Sequence, residues 1–197
     1  MYAFSITQVQ CQLGGRMKAI GLLVGREKEL EFLMGQMASA ISREGHLVLI
    51  SGEAGSGKTA LCETFIELAI KSDALILVGR CVPGSQSPYL PFVEAFSNQV
   101  PNPFAEDEAS NTNPSVLFLS VLRSIERISE DRTLILWLED LHWADSASIA
   151  LIHFLARNVK TLKALVLGTY RQEDIHAGAA AGMNCAGAIA DSHGHFT

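Results

Sequence analysis

An apolar run that leads into a glycine-rich loop constrains this chain more than any other feature. Residues 47–50 read Leu-Val-Leu-Ile, and after Ser51 the sequence continues as GEAGSGKTA at 52–60. A run without polar residues suits a strand covered on both faces of a parallel sheet. Glycines at 52, 55 and 57 allow backbone N–H groups to converge on a phosphate, and a helix starting near Lys58 adds its positive end. The sequence therefore predicts a strand, a phosphate-binding loop and a helix in immediate succession.

The spacing G-x-x-x-x-G-K-T gives separate roles to the polar residues of this loop. Lys58 is expected to reach the β- and γ-phosphate oxygens, and the Thr59 hydroxyl is expected to hold Mg²⁺. ATP and Mg²⁺ are therefore the predicted ligands. The predicted nucleotide-binding residues of the loop are Gly52, Glu53, Ala54, Gly55, Ser56, Gly57, Lys58, Thr59 and Ala60.

Strand-like apolar segments alternate with helical segments along the chain. Strands are predicted at residues 47–50, 75–78, 133–138 and 165–167. Residues between them show apolar positions at helical spacing, with Asn113 as the N-cap of one helix and Asp145 or Ser146 as that of another. This alternation predicts an α/β fold of the P-loop NTPase type, an open parallel sheet flanked by helices on both faces.

Two acids, Glu139 and Asp140, follow the third predicted strand. The carboxyl ends of parallel strands meet at one edge of the sheet, so these acids are expected near the phosphate loop. One would bind Mg²⁺ directly or through water, and the other would orient or deprotonate the attacking water. The sequence leaves open which acid does which. The alternative is that two acids after a buried strand only mark its exit into solvent.

Charge and hydropathy exclude several classes of function. The chain has 197 residues, a net charge of −6 and no basic cluster, which argues against direct nucleic-acid binding by this segment. No run approaches the roughly 18 apolar residues that a membrane-spanning helix needs. The sequence therefore predicts neither a nucleic-acid-binding surface nor a membrane span.

The cysteines are far apart and show no C-x-x-C spacing, which predicts reduced thiols in a cytoplasmic protein rather than disulfides or structural zinc. They are Cys11, Cys62, Cys81 and Cys185. Cys62 is expected to be a small buried residue. His193, His195 and the nearby Cys185 match no standard zinc pattern, so no metal site is predicted there.

Five blocks in a fixed order resemble one family. They are VGRE at 24–27, GEAGSGKTAL at 52–61, GRC at 79–81 with PYLPF at 88–92, LWLEDLHWADSAS at 136–148 and LGTYR at 167–171. Together they resemble the NACHT/AAA-like, Orc/Cdc6-type ATPase domain of signal-transduction ATPases with numerous domains. That family includes maltose-regulator-like and LuxR-type transcriptional regulators and cyclase-associated ATPases. The resemblance covers about residues 20–174.

The resemblance implies roles for residues outside the loop. Glu139 and Asp140 take the Walker B positions, where they serve as catalytic and Mg²⁺-binding residues together with Thr59. Arg171 matches the arginine of the family's first sensor position and would act on the γ-phosphate. The residues expected near adenine are Val24, Gly25 and Arg26. The family often has Asp where this chain has Glu139, which predicts slow hydrolysis. Arg80 fits a phosphate or interface role and, equally, an ion pair. His142 and Trp143 are expected to shape the loop.

The resemblance also sets an expectation for the organisation of the chain. We divide it into a weakly patterned leader at 1–19, a P-loop ATPase core at 20–174 and a poorly ordered Ala/Gly-rich tail at 175–197. The family's strand order is 5-1-4-3-2, and the tail does not read as a strand. We therefore expect a sheet truncated after its fourth strand, with the phosphate-loop strand at an exposed edge. A helical lid and output domains are also missing, which favours a fragment or frameshifted product.

Three functions remain open from the sequence. The first is an ATP-binding switch with weak ATPase activity in a signalling or transcription-regulating protein. The second is a non-hydrolysing nucleotide-binding interaction module, and the third is a small P-loop phosphotransferase. ATP is preferred over GTP because the sequence has no N-K-x-D motif for guanine. The expected partners are nucleotide, other proteins or further domains of the same polypeptide, and a second copy bound in a nucleotide-dependent way.

Overall fold

The computed structural model describes residues 25–85, 87–105 and 113–171, together with the backbone of 188–191. Within these residues, strands and helices alternate as the sequence predicts. The strands are β1 His46–Ser51, β2 Leu75–Arg80, β3 Leu134–Glu139, β4 Ala164–Tyr170 and β5 Ala188–Asp191. The helices are α1 Glu27–Ile41, α2 Lys58–Lys71, α3 Leu90–Phe96, α4 Pro114–Ile128 and α5 Ser146–Asn158, with short 3-10 turns at Leu141–Trp143 and Val159–Thr161.

The strands form one sheet in the order β2-β3-β4-β1-β5. Every neighbouring pair in this sheet is parallel. Read from the other edge, this order is 5-1-4-3-2, the order that the sequence resemblance implied. The α/β class, the open parallel sheet and the flanking helices are therefore confirmed.

The expectation of a sheet without a fifth strand is wrong. Residues Ala188–Asp191 pair in parallel with β1, with Val48 opposite Ala188 and Ser51 opposite Asp191. This strand is short and half alanine, a residue with little preference for strands, so its own sequence gives no strand signal. It forms by adding to the edge that β1 would otherwise expose, and β1 is consequently an interior strand.

The other residues at the two ends of the chain lie outside the described part. They include the predicted leader 1–19, Val24, the tail residues Cys185, His193 and His195 and the rest of 175–197 apart from β5. The three domain boundaries therefore stay predictions.

Side chains of the strands alternate between two apolar layers, one on each face of the sheet. On one face, strand residues such as Leu49 and Leu136 pack with α3, α4 and α5. On the other face, residues such as Ile50 and Trp137 pack with α1 and α2. Because both faces are covered, the central strands carry almost no polar residues, as their sequences predict.

Predicted caps begin two of the helices. The Asn113 side chain accepts a hydrogen bond from Ser115 N at 3.0 Å, and Pro114 occupies the first turn of α4. Asp145 Oδ1 accepts from Ala147 N at 2.9 Å and from Ser148 N at 3.0 Å at the start of α5. Asp145, rather than Ser146, is thus the cap of α5.

A glycine contact fixes α3 against the end of β2. A Cβ atom on Gly79 would lie 1.7 Å from the carbonyl oxygen of Pro91, closer than any real contact. Only glycine therefore allows α3 to approach β2 this closely. The contact brings the GRC block and the PYLPF block together.

Candidate nucleotide site

The phosphate loop connects the end of β1 to the start of α2. Gly55 and Gly57 have φ angles of 76° and 87°, in the left-handed region that residues with a Cβ atom rarely adopt. Gly57 lies immediately before α2, so the loop ends at the positive end of that helix. The loop thus has the backbone geometry that a phosphate-binding turn requires.

The side chain of Lys58 folds over this loop. Its Nζ donates to the carbonyl oxygens of Gly52 and Glu53 at 2.6 and 2.8 Å, and lies 3.4 Å from Ser56 Oγ. These contacts hold the ammonium group inside the curve of the loop. A cation at that position is suited to meet phosphate oxygens.

A cavity of about 380 Å³ lies in front of the loop. Its lining joins loop and helix residues to two residues from distant parts of the sequence: Ala54, Gly55, Ser56, Gly57, Lys58, Thr59, Ala60, Glu63, Asp140 and Arg171. Most residues of the predicted site therefore meet at one cavity. Sequence reasoning missed Glu63, although it lies four residues after Thr59 and so on the same face of α2.

The two acids after β3 occupy different environments. Asp140 is exposed, adopts a left-handed φ of 56° and lines the cavity. Its backbone N–H donates to Thr169 Oγ1 at 3.2 Å. Glu139 is the last residue of β3, and its side chain is 9% exposed and ion-paired with Arg80 Nε. Asp140 is thus the acid that lines the cavity, and Glu139 is the buried acid that precedes it in the sequence.

Arg80 forms the ion pair that was one of its two predicted roles. Its Nε contacts Glu139 Oε2, and its backbone N–H donates to Glu94 Oε2 at 2.7 Å. The guanidinium therefore contacts the buried acid at the strand edge.

Arg26 contacts the phosphate loop from the side of α1. Its Nη2 donates to the Ser56 carbonyl at 2.6 Å, and its Nη1 lies 3.0 Å from Glu29 Oε1. Next to it, Gly25 N donates to Glu27 Oε1 at 3.2 Å. Hydrogen bonds from the backbone of Glu27 itself and of Gly25 lower the pKa of the Glu27 carboxyl. The observed contact of Arg26 is with the loop, and its predicted contact with adenine stays a prediction.

The described cysteines are buried thiols, as predicted for Cys62. Burial raises the pKa of the Cys62 thiol, and the negative charge of Glu139 raises it further. Burial, followed by the charges of Asp145, Asp140 and Glu94, raises the pKa of Cys81 to about 12. Both thiols are therefore protonated and unreactive near neutral pH.

His142 and Trp143 lie in the 3-10 turn that follows Asp140. Trp143 N donates to the Asp140 carbonyl at 2.9 Å, and the ring centroids of His142 and Trp143 are 5.1 Å apart. These contacts form part of the turn that carries Asp140.

The residues present fit a nucleoside triphosphate with Mg²⁺. The loop provides left-handed glycines and an ammonium group at a helix N-terminus, which suit phosphate. Thr59 and Asp140 provide a hydroxyl and a carboxylate at the same cavity. In the described part of the chain no cluster of three or more His, Cys, Asp or Glu could hold a metal alone. Mg²⁺ does not need one, because it takes one or two protein ligands, phosphate oxygens and water.

Among the described residues, no helix has the length and apolarity needed to cross a membrane.

Comparison with solved structures supports the fold. The chain is similar to Aeropyrum pernix ORC1, solved in complex with DNA, with 18% identity and a TM-score of 0.53 over 82% of this chain and 44% of that one. It is similar to C. elegans PCH-2, with 17% identity and a TM-score of 0.51 over 85% of this chain and 42% of that one. It is also similar to a chain of Drosophila ORC bound to DNA, with 14% identity and a TM-score of 0.51 over 84% of this chain and 88% of that one. The chain thus spans less than half the length of the ORC1 and PCH-2 chains.

A family model matches most of the sequence, whereas no curated protein matches it. The model describes the AAA ATPase domain and covers residues 22–167, which include the phosphate loop, the acid pair, strands β1, β2 and β3 and the first part of β4. The chain therefore belongs to the AAA ATPase domain family, and this membership implies that it binds nucleotide.

Proposed function

We propose that this domain binds ATP with Mg²⁺ and acts as a nucleotide-dependent switch with weak ATPase activity in a signalling or transcription-regulating protein. The observation that carries the proposal is the single cavity that joins Lys58, Thr59, Asp140 and Arg171. Residues from the phosphate loop and from the ends of two other strands supply charge of both signs at one place. This combination suits a triphosphate and its metal.

Each of these residues has a role that its position supports. The Lys58 ammonium binds the β- and γ-phosphate oxygens, and the Thr59 hydroxyl holds the metal. When bound, Mg²⁺ neutralises phosphate charge and orients the phosphates. Asp140 is exposed to the cavity, which supports it as the group that orients and deprotonates the attacking water. Arg171 stabilises charge on the γ-phosphate. Glu139 contributes to the metal shell from its buried position.

Other parts of a larger assembly would respond to the nucleotide state of this domain. Expected partners are other proteins, further domains of the same polypeptide or a second copy. The relatives of the Orc type were solved with DNA. The net charge of −6 and the absence of a basic cluster in the sequence favour no direct nucleic-acid contact by this segment. Its protonated, buried thiols fit a reducing cytoplasm.

A second function is a nucleotide-binding interaction module that does not hydrolyse ATP. The placement of Glu139 favours it, because this acid is buried and is not among the residues that line the cavity. Binding without release of phosphate would distinguish this module from the switch with ATPase activity.

The test is titration of the purified protein with labelled ATP and GTP, with and without Mg²⁺, followed by measurement of phosphate release. Asp140→Asn is expected to bind ATP within about threefold of the original protein and to lose at least about a hundredfold in turnover, since it removes the base. Asp131→Asn is the matched control, because Asp131 is an exposed aspartate three residues before the start of β3, whereas Asp140 follows the end of that strand. Equal turnover in Asp140→Asn would contradict the role of Asp140, and binding without turnover in the original protein would favour the second function.

A further inference from the structure

Arg80 and Glu139 are the last residues of two neighbouring strands, and they lie directly opposite each other. The parallel pairing of β2 with β3 sets Arg80 against Glu139 in register, and Arg80 Nε contacts Glu139 Oε2. Cys81 N donates to the Glu139 carbonyl at 3.0 Å, and Arg80 N donates to Glu94 on α3 at 2.7 Å. Both ends of the pair are thus held by backbone hydrogen bonds, so the pair has a defined geometry.

The pair lies on the face of the sheet that carries the phosphate-loop helix. Side chains alternate along a strand, so Glu139 shares the face of Ile135 and Trp137, which pack in the layer of α1 and α2. The negative charge of Glu139 also acts on Cys62, in the first turns of α2. Glu139 therefore lies between Arg80 and the helix that begins with Lys58 and Thr59.

Burial makes a cationic partner important for Glu139. Its side chain is 9% exposed, whereas that of Arg80 is 31% exposed. A buried carboxylate is retained only when it is paired and hydrogen-bonded. A guanidinium is planar and donates in fixed directions, so a contact from Nε orients a carboxylate in a way that a lysine ammonium does not.

We propose that Arg80 is the positioning residue for Glu139: its contact with Oε2 fixes the carboxylate in the orientation in which it serves the Mg²⁺ of bound nucleotide. This inference rests on the proposed function, because it gives Arg80 a role in the same metal site. In this role Arg80 acts through Glu139, in the way that outer partners of metal ligands set ligand orientation.

The experiment measures the Mg²⁺ concentration needed for half-maximal binding of a fluorescent ATP analogue. Arg80→Gln is expected to raise this concentration about tenfold, the scale seen when outer partners of a metal ligand are lost. Its affinity for the analogue without Mg²⁺ should stay within about twofold, because the phosphate loop is unchanged. In a Glu139→Gln background, Arg80→Gln should change the Mg²⁺ requirement by less than about twofold, since coupled residues are not additive.

The matched control is Arg132→Gln. Arg132 pairs with Asp73 at 3.8 Å and links the opposite ends of β2 and β3, far from the cavity. This variant should keep the original Mg²⁺ requirement. Thermal unfolding of both variants separates a loss of stability from a change in metal use.

Arg80→Lys keeps the proposal testable where Arg80→Gln does not fold. It retains the charge but lacks the Nε donor, so the same rise in Mg²⁺ requirement is expected. An unchanged or lower requirement in a folded Arg80 variant would overturn the inference, and so would additive effects of Arg80→Gln and Glu139→Gln. Failure of the original protein to bind the analogue at any Mg²⁺ concentration would instead overturn the proposed function, and this inference with it.

Discussion

Replacing Gly79 by alanine tests how α3 is held against the sheet. The added Cβ would lie 1.7 Å from Pro91 O and 2.6 Å from the Pro91 carbonyl carbon, both backbone atoms. Relief requires the start of α3 to move by more than about 1.5 Å to reach ordinary contact distance. That helix is anchored by Phe92 and Phe96, each 0% exposed, so the movement would disrupt the apolar layer. We expect Gly79→Ala to destabilise the fold by about 3 kcal/mol or more.

The assay is equilibrium unfolding in urea. With a dependence of about 2 kcal/mol per molar urea, the midpoint of Gly79→Ala should fall by roughly 1.5 M. Gly35→Ala is the matched control, because Gly35 is an exposed residue inside α1 and its new Cβ would meet nothing within 4 Å. Alanine is the better helix former there, so a gain of about 0.5–1 kcal/mol is expected. If Gly79→Ala unfolded at the original midpoint, the close contact between β2 and α3 would be refuted.

Three further predictions concern residues around the site. Asp145→Ala should lose about 2–3 kcal/mol in urea unfolding, because Asp145 caps α5 and accepts from Tyr89 N at 3.3 Å, whereas Asp145→Asn keeps an acceptor and should lose about 1 kcal/mol. Burial raises the pKa of Cys81 from 9.0 to about 12, so the stability from its protonated thiol is present below pH 9 and lost between pH 9 and 12. Iodoacetamide at pH 8 should thus label Cys81 only after unfolding, and rapid labelling of the folded protein would contradict this. Trp143 is 45% exposed and Trp137 is 0% exposed, so Trp143→Phe should remove most of the acrylamide-quenched fluorescence, and undiminished quenching would contradict this.

Local sequence features predicted the elements that depend on neighbouring residues. The apolar run before the phosphate loop predicted β1, and the glycines of the loop predicted the turn in which Gly55 and Gly57 have positive φ angles. Asn113 and Asp145 predicted where two helices begin, because the side chain of a cap accepts hydrogen bonds from backbone N–H groups two or three residues away. Such interactions join residues that are close together in the sequence, so the sequence pattern alone predicts them.

Contacts between distant segments were harder to predict. The pairing of Arg80 with Glu139 follows from the register of β2 on β3, which the sequence does not state. Likewise, Arg26 contacts Ser56, a residue 30 positions away. The strand Ala188–Asp191 was missed because its pairing depends on the open edge of β1 rather than on its own residues. Each of these features depends on the assembled sheet.

Isothermal titration of ATP into the original protein and Lys58→Ala, both with Mg²⁺, tests the central claim most directly. The Lys58 ammonium lies within the loop, 2.6 Å from the Gly52 carbonyl, where it is set to make charge-assisted hydrogen bonds to phosphate. Two such bonds at about 1.5–3 kcal/mol each predict a loss of at least about a hundredfold in affinity. Lys71→Ala, at the exposed end of the same helix, should bind as the original does. Unchanged ATP affinity in Lys58→Ala would contradict the assignment of the nucleotide site.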